Sequence, residues 1–96
     1  MTRCRFSALA VSDLEAIGDF IARDNPRRAV TFLRELQDYC HQQITVRPSS
    51  FPLREDLGRS LRMAVHGRYL IFFTPLDDGV LIERVVHGAR NRKDLP

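Results

Sequence analysis

The 96-residue sequence predicts an α+β fold: a small antiparallel-type sheet packed against an N-terminal helical hairpin, in the order β-α-α-β-β-β. Three observations carry this expectation. The chain opens with period-two alternation in "TRCRFSAL". Two stretches of helical spacing then meet at Asn25-Pro26. The second half holds three apolar, strand-like runs divided by tight-turn signals. A chain of this length makes one domain over residues 1–96, with one modest core and little room for a deep cofactor cleft.

Each element has its own warrant. In "TRCRFSAL", Cys4, Phe6 and Ala8 alternate with Arg3, Arg5 and Ser7, as in a strand with one wet face. Ser12 and Glu15 form an S-x-x-E capping box and place the first helix start there. Leu14, Ile17 and Ile21 follow at helical spacing, Phe20 widens the stripe, and Gly18 weakens the interior. Asn25-Pro26 ends that helix and starts the next, because asparagine caps well and proline suits the first helical position. Ala29, Leu33, Leu36, Cys40 and Ile44 carry the second helix to about Ile44, and so short a link implies a tight antiparallel hairpin. Residues 47–56, "RPSSFPLRED", are a loop. "SLRMAVH" alternates with Leu61, Met63 and Val65 inward and Arg62 outward, and Gly67 makes a tight turn with His66 or Arg68. "RYLIFFTPL" is apolar on both faces like a central strand, ended by Pro75. "DDG" at 77–79 turns the chain into the last strand, "VLIERVVH".

Composition narrows the function. No apolar run is long enough to span a membrane, and Phe6 to Val11 is too short for a secretion signal, so a cytoplasmic protein is expected. Cys4 and Cys40 sit in no zinc-like spacing; they read as two buried thiols, with a disulfide or a reactive thiol as alternatives. Neither metal nor cofactor is expected: there is no phosphate-binding glycine loop, dinucleotide fingerprint, HExxH or GxSxG. The net charge is +3, and fourteen of fifteen basic residues are arginine, which suits two-point contacts with phosphates and carboxylates but also follows from GC-rich coding. Four cations and no anion lie between Arg84 and Lys93, so the C-terminal end favours an acidic partner.

Three constellations could carry chemistry. Arg62, His66, Arg68, Tyr69, Arg84, His87 and Arg90 supply the residue types for metal-free RNA cleavage: a base, an acid and cations for the transition state. Strand alternation, however, puts Arg84 and Val86 on one face and Val85 and His87 on the other, and the turn leaves His66 solvated. "HGARNRK" offers a basic recognition tail, or simply a solvated terminus. Finally, Leu14, Ile17, Ile21, Leu33 and Leu36 suffice for a core, so Phe20, Phe32 and Tyr39 are surplus aromatics that fill the same core or mark a partner groove.

Taken together, "DLEAIGDFIARDNPRRA", "REDLGRSLRMAVHGRYLIFF" and "GVLIERVVHGAR" resemble, in order and spacing, the ParE branch of the RelE/ParE toxins of type II toxin–antitoxin modules. The resemblance covers nearly the full length and implies the same fold. It also implies a ParD-like antitoxin partner, in a hetero-oligomer, with Phe20, Phe32, Leu36, Tyr39, Arg62 and Arg68 as the surface bound. ParE-like members act on DNA gyrase by binding; by that likeness Arg84, His87, Arg90, Arg92 and Lys93 would meet the target. RelE-like members cut mRNA on the ribosome, and for that alternative the set is Arg62, Arg68, Tyr69, His87 and Arg90. Gly88 follows His87 where the RNase branch often has tyrosine, which favours the gyrase reading. Asn91 replaces a common aspartate and Phe73-Thr74 a common tyrosine and basic residue, which keeps a non-toxic antitoxin-binding module as a further alternative.

Overall fold

The computed structural model describes residues 3–57 and 60–89. The element order is the expected one: β1 (Arg3–Phe6), α1 (Ala8–Ala22), α2 (Pro26–Tyr39), β2 (Arg62–His66), β3 (Tyr69–Leu76) and β4 (Gly79–His87). One sheet runs β1-β4-β3-β2. β2, β3 and β4 form the antiparallel meander, while β1 joins β4 in parallel and makes the sheet mixed. A parallel neighbour needs a long crossover, which the helical hairpin supplies.

The helices begin where side chains satisfy their first N–H groups. α2 starts as expected, with Asn25 Oδ1 accepting from Arg28 N–H at 3.1 Å and Pro26 in the first turn. α1 starts five residues before the expected Ser12. Ser7 Oγ accepts from Ala10 N–H at 3.0 Å and donates to the Glu83 carbonyl at 2.8 Å, so one hydroxyl caps the helix and ties it to β4. This bond to a residue 76 positions away decides against Ser12. It also shortens β1, since Ala8 is already helical. Gly18 is buried where α1 meets α2; a Cβ there would lie 2.9 Å from Leu33 Cδ1, so its absence lets the helices close. The helical run does reach Ile44, but its last turn, Cys40–Ile44, is π-wound, with Thr45 N–H donating to Cys40 O at 3.0 Å.

The sheet buries both faces unequally. Cys4, Phe6, Ala64, Tyr69, Ile71, Phe73, Val80, Ile82 and Val85 face the hairpin and pack with Ala10, Leu14, Ile17, Leu36, Cys40 and Ile44. Leu61, Phe72 and Val86 form a smaller cluster with Met63 and Leu70 on the far face. The inward row expected for β2 is therefore reversed with respect to the helices. Ala64 meets the main core, whereas Met63 joins the far cluster and Val65 is 53% exposed. β2 lies at the margin of the sheet, where the second face has its own apolar cover and hydrophobicity alone does not distinguish the two sides.

Pro75 does not end β3, which continues to Leu76. Pairing with β2 stops at Phe73, so at Pro75 the strand has β4 alone beside it. The turns are both two-residue: Gly67-Arg68, with Gly67 at φ 60°, and Asp77-Asp78 before Gly79. A Cβ on Gly79 would fall 1.7 Å from the Arg3 carbonyl oxygen, so glycine is what lets β1 lie against the start of β4. A β-bulge at Glu83 shifts the register between Phe72 and Phe73.

Candidate functional site: a groove between the hairpin and the strand ends

An open groove of about 550 Å³ lies where the hairpin passes the β2–β3 turn and the end of β4. Phe20 of α1 and Phe32 of α2 form one wall; Gly67, Arg68, Tyr69 and His87 form the other. The aromatic rings interlock. Phe32 lies 5.4 Å from Tyr69 and 6.0 Å from His66, Tyr39 lies 4.9 Å from His66, and the Tyr69 and His87 rings meet edge to face at 5.3 Å. Register explains this: His66, Tyr69 and His87 are direct cross-strand partners on the hairpin-facing side. His66 is thus not the solvated turn residue expected; the turn begins one residue later, and α2 supplies rings that cover it.

Charged groups hold the walls. The Arg28 guanidinium sits 5.2 Å above the Phe32 ring and pairs with Glu35 at 2.7 Å, each keeping the other charged through that hydrogen bond. His87 Nδ1 accepts from Ala89 N–H at 3.2 Å, which in the neutral ring puts the proton on Nε2 and makes that side a donor. Gly88 N–H donates to Arg68 O at 2.9 Å and fastens the exit of β4 to the turn.

The other candidates are distributed as follows. Phe20 is 48% exposed at the groove mouth, while Phe32 and Tyr39 are half-buried against the core. Leu36 is 1% exposed, so it shapes the hairpin from inside and offers a partner no surface. Arg62 lies four residues along β2 from His66, and its guanidinium donates to the Phe51 carbonyl at 2.7 Å. Arg84 is bound to Asp13 of α1 through two bonds of 2.8 and 3.0 Å, and the same carboxylate accepts from Val85 N–H at 3.0 Å. Strand alternation holds at this point: Val85 lies in the hairpin-side core and Val86 in the far cluster. Arg90, Arg92 and Lys93 fall outside the described residues, as does Asn91. Of the residues grouped for RNA cleavage, the groove therefore brings together Arg68, Tyr69 and His87, and it does not include Arg62.

Asp13 had no functional signal in the sequence, and His66, named there as a candidate, was expected to be solvated. Asp13 follows Ser12 in what reads as a capping box, and its role depends on the edge of β4 that β1 leaves uncovered after Ile82. His66 gains its aromatic surroundings from a helix 27 residues and more away in the chain. Among the described residues, no three His, Cys, Asp or Glu side chains converge as a metal site requires, and no helix is long and apolar enough to cross a membrane.

An aromatic groove held by cross-strand ring contacts, on a sheet covered by one helical hairpin, is set in a small α+β protein. The family comparison is specific: residues 4–92 match the model of the "ParE toxin of type II toxin-antitoxin system, parDE", and the chain belongs to that family. Among solved structures, a chain of the "Chromosomal ParDE TA system from P. aeruginosa" shares the fold, with a TM-score of 0.68 at 18% identity over 91% of this chain and 96% of that one. No curated protein matches it by sequence.

Proposed function

We propose that this chain inhibits DNA gyrase by binding, in the cytoplasm, and that a ParD-like antitoxin neutralises it in a hetero-oligomer. Family membership supports the toxin role. One observation supports binding over cleavage: the cations are divided. A metal-free nuclease needs several positive groups converging with its acid and base on one phosphate. Here Arg62 is engaged by the Phe51 carbonyl and Arg84 by Asp13, while Arg68 stands at the groove. Tyr69 is 7% exposed, so its ring serves the wall more than a substrate. Purified toxin, incubated with gyrase and plasmid, should block supercoiling and accumulate cleaved complexes. Full supercoiling with no trapped complex at high toxin would overturn the proposal.

Cleavage of mRNA on the ribosome is the second reading, favoured by the meeting of Arg68, Tyr69 and His87 at one groove. It requires transcript cleavage in a translation extract that disappears in His87→Ala. Intact transcripts with the wild-type chain would remove it. Growth arrest on induction without antitoxin would in turn exclude a non-toxic binding module.

A further inference from the structure

β1 leaves half of its backbone unpaired on the outside of the sheet. In the order β1-β4-β3-β2 it is a margin strand. Its inner pairing is parallel: Arg3 N–H donates to the Asp78 carbonyl at 2.6 Å, and Ser7 N–H, just past the strand, donates to the Ile82 carbonyl at 2.9 Å. Alternation fixes the rest. Arg3 and Arg5 turn their backbone groups toward β4, and Cys4 and Phe6 turn theirs outward. Among the described residues, no strand pairs with that side of β1, and the backbone donors and acceptors of Cys4 and Phe6 have no partner there. Both residues are partly exposed. A strand edge left open in this way can take up an extended segment of another chain through main-chain hydrogen bonds.

The side chains decide which segment fits. Cys4 and Phe6 project to the hairpin side and pack against the core cluster. Arg3 and Arg5 therefore project from the other face, each side chain more than half-exposed. Both reach the same oxygen of Asp78, each at 3.8 Å, so two cations share one carboxylate and positive charge is left over along the edge. We propose that β1 is a strand-addition site for an extended partner segment that alternates acidic and apolar residues. Its acidic side chains lie opposite Arg3 and Arg5, and its apolar ones lie beside Cys4 and Phe6. Its backbone bonds to the outward N–H and carbonyl groups of Cys4 and Phe6. The arginines also select against a second copy of this chain. Paired antiparallel across this edge, a copy sets Arg5 against Arg5 or Arg3 against Arg5, like charges directly opposite each other. The site lies on the opposite margin of the sheet from β2, and it holds for either toxin activity.

The test titrates the isotope-labelled full chain with a short, capped peptide of alternating glutamate and valine and follows the backbone amides by NMR. The Cys4 and Phe6 amides should shift, and their hydrogen exchange should slow. The matching lysine–valine peptide should bind about tenfold more weakly, because its charges oppose the arginines. Replacing both arginines together, Arg3→Glu with Arg5→Glu, should reverse that preference and make the lysine peptide the better ligand. A variant that had merely unfolded gains no such affinity. N-methylation of the peptide amides that face β1 should abolish binding. Equal affinity for the two peptides, shifts at the groove instead of at β1, or no binding at about 1 mM peptide would each overturn the proposal. So would protection of the Cys4 and Phe6 amides in a dimer of the chain alone, which would assign the edge to a second copy.

Discussion

Asp13 illustrates how much one carboxylate can organise. It accepts two bonds from Arg84 and one from Val85 N–H, at the edge of β4 that β1 no longer covers. Removing it leaves a half-buried guanidinium and a backbone donor without that acceptor. Asp13→Ala should cost about 3 kcal/mol in urea unfolding, and Asp13→Asn less, since one oxygen remains for Val85. A loss below about 1 kcal/mol would show the contact to be incidental. At Cys4, the hydrogen bond from Cys40 pulls the thiol below its ordinary range; burial opposes this, and Thr45 and His41 assist it. Cys40 is pushed the other way, by the same bond and by burial. Because the thiolate reacts and a lowered pKa keeps it populated as pH falls, iodoacetamide labelling of Cys4 should stay fast at pH 7, below the ordinary thiol value of about 8.5. Thr45→Val should slow it there. A labelling profile that rises only near pH 8.5 would contradict this.

The elements show which sequence signals were sufficient and which were not. Asn25-Pro26 marked the hairpin correctly, because cap and proline act within one turn of chain. Both two-residue turns were legible for the same reason, Gly67 lying within one and Gly79 directly following the other. The start of α1 was not legible: Ser7 and Ser12 are both plausible caps, and the choice rests on the Glu83 carbonyl across the fold. Nor was the inner face of β2, since Leu61, Met63 and Val65 are more apolar than Ala64 yet lie away from the hairpin. Local chemistry is written locally; facing and capping across the sheet are not. For the candidate site, the sequence identified Arg68, Tyr69, His87, Phe20 and Phe32, but it did not show that His66 joins them or that Arg62 and Arg84 are engaged elsewhere. The β1–β4 pairing offers an element-level test. Gly79→Ala places a methyl on the Arg3 carbonyl and should destabilise by roughly 3 kcal/mol, read by thermal or urea unfolding. An unchanged melting temperature would mean that β1 adjusts freely.

Considered whole, the molecule separates what holds it together from what it presents. Leu36 and Phe20 sit on the same hairpin with opposite roles, 1% and 48% exposed. Leu36→Ala should therefore cost about 3 kcal/mol of stability. Phe20→Ala should leave stability within about 1 kcal/mol of wild type yet weaken antitoxin binding by about tenfold or more, measured by calorimetry. Equal affinity for Phe20→Ala would place the antitoxin off the groove. Adding antitoxin should also raise the melting temperature, by mass action on the folded form. The groove itself depends on the single extra residue in β4. Val80 and Ile82 face the hairpin before Glu83, and Val85 faces it after, so the strand is read in two frames, even numbers first and odd numbers next. If the strand ran on without the bulge, the even frame would continue: Arg84 would enter the core row opposite Ile71 in place of Val85, and the side chain opposite Tyr69 would be Val86 instead of an imidazole. The histidine that lines the groove is thus placed there by a one-residue phase shift, and comparison of this strand with any relative has to count from the correct side of it.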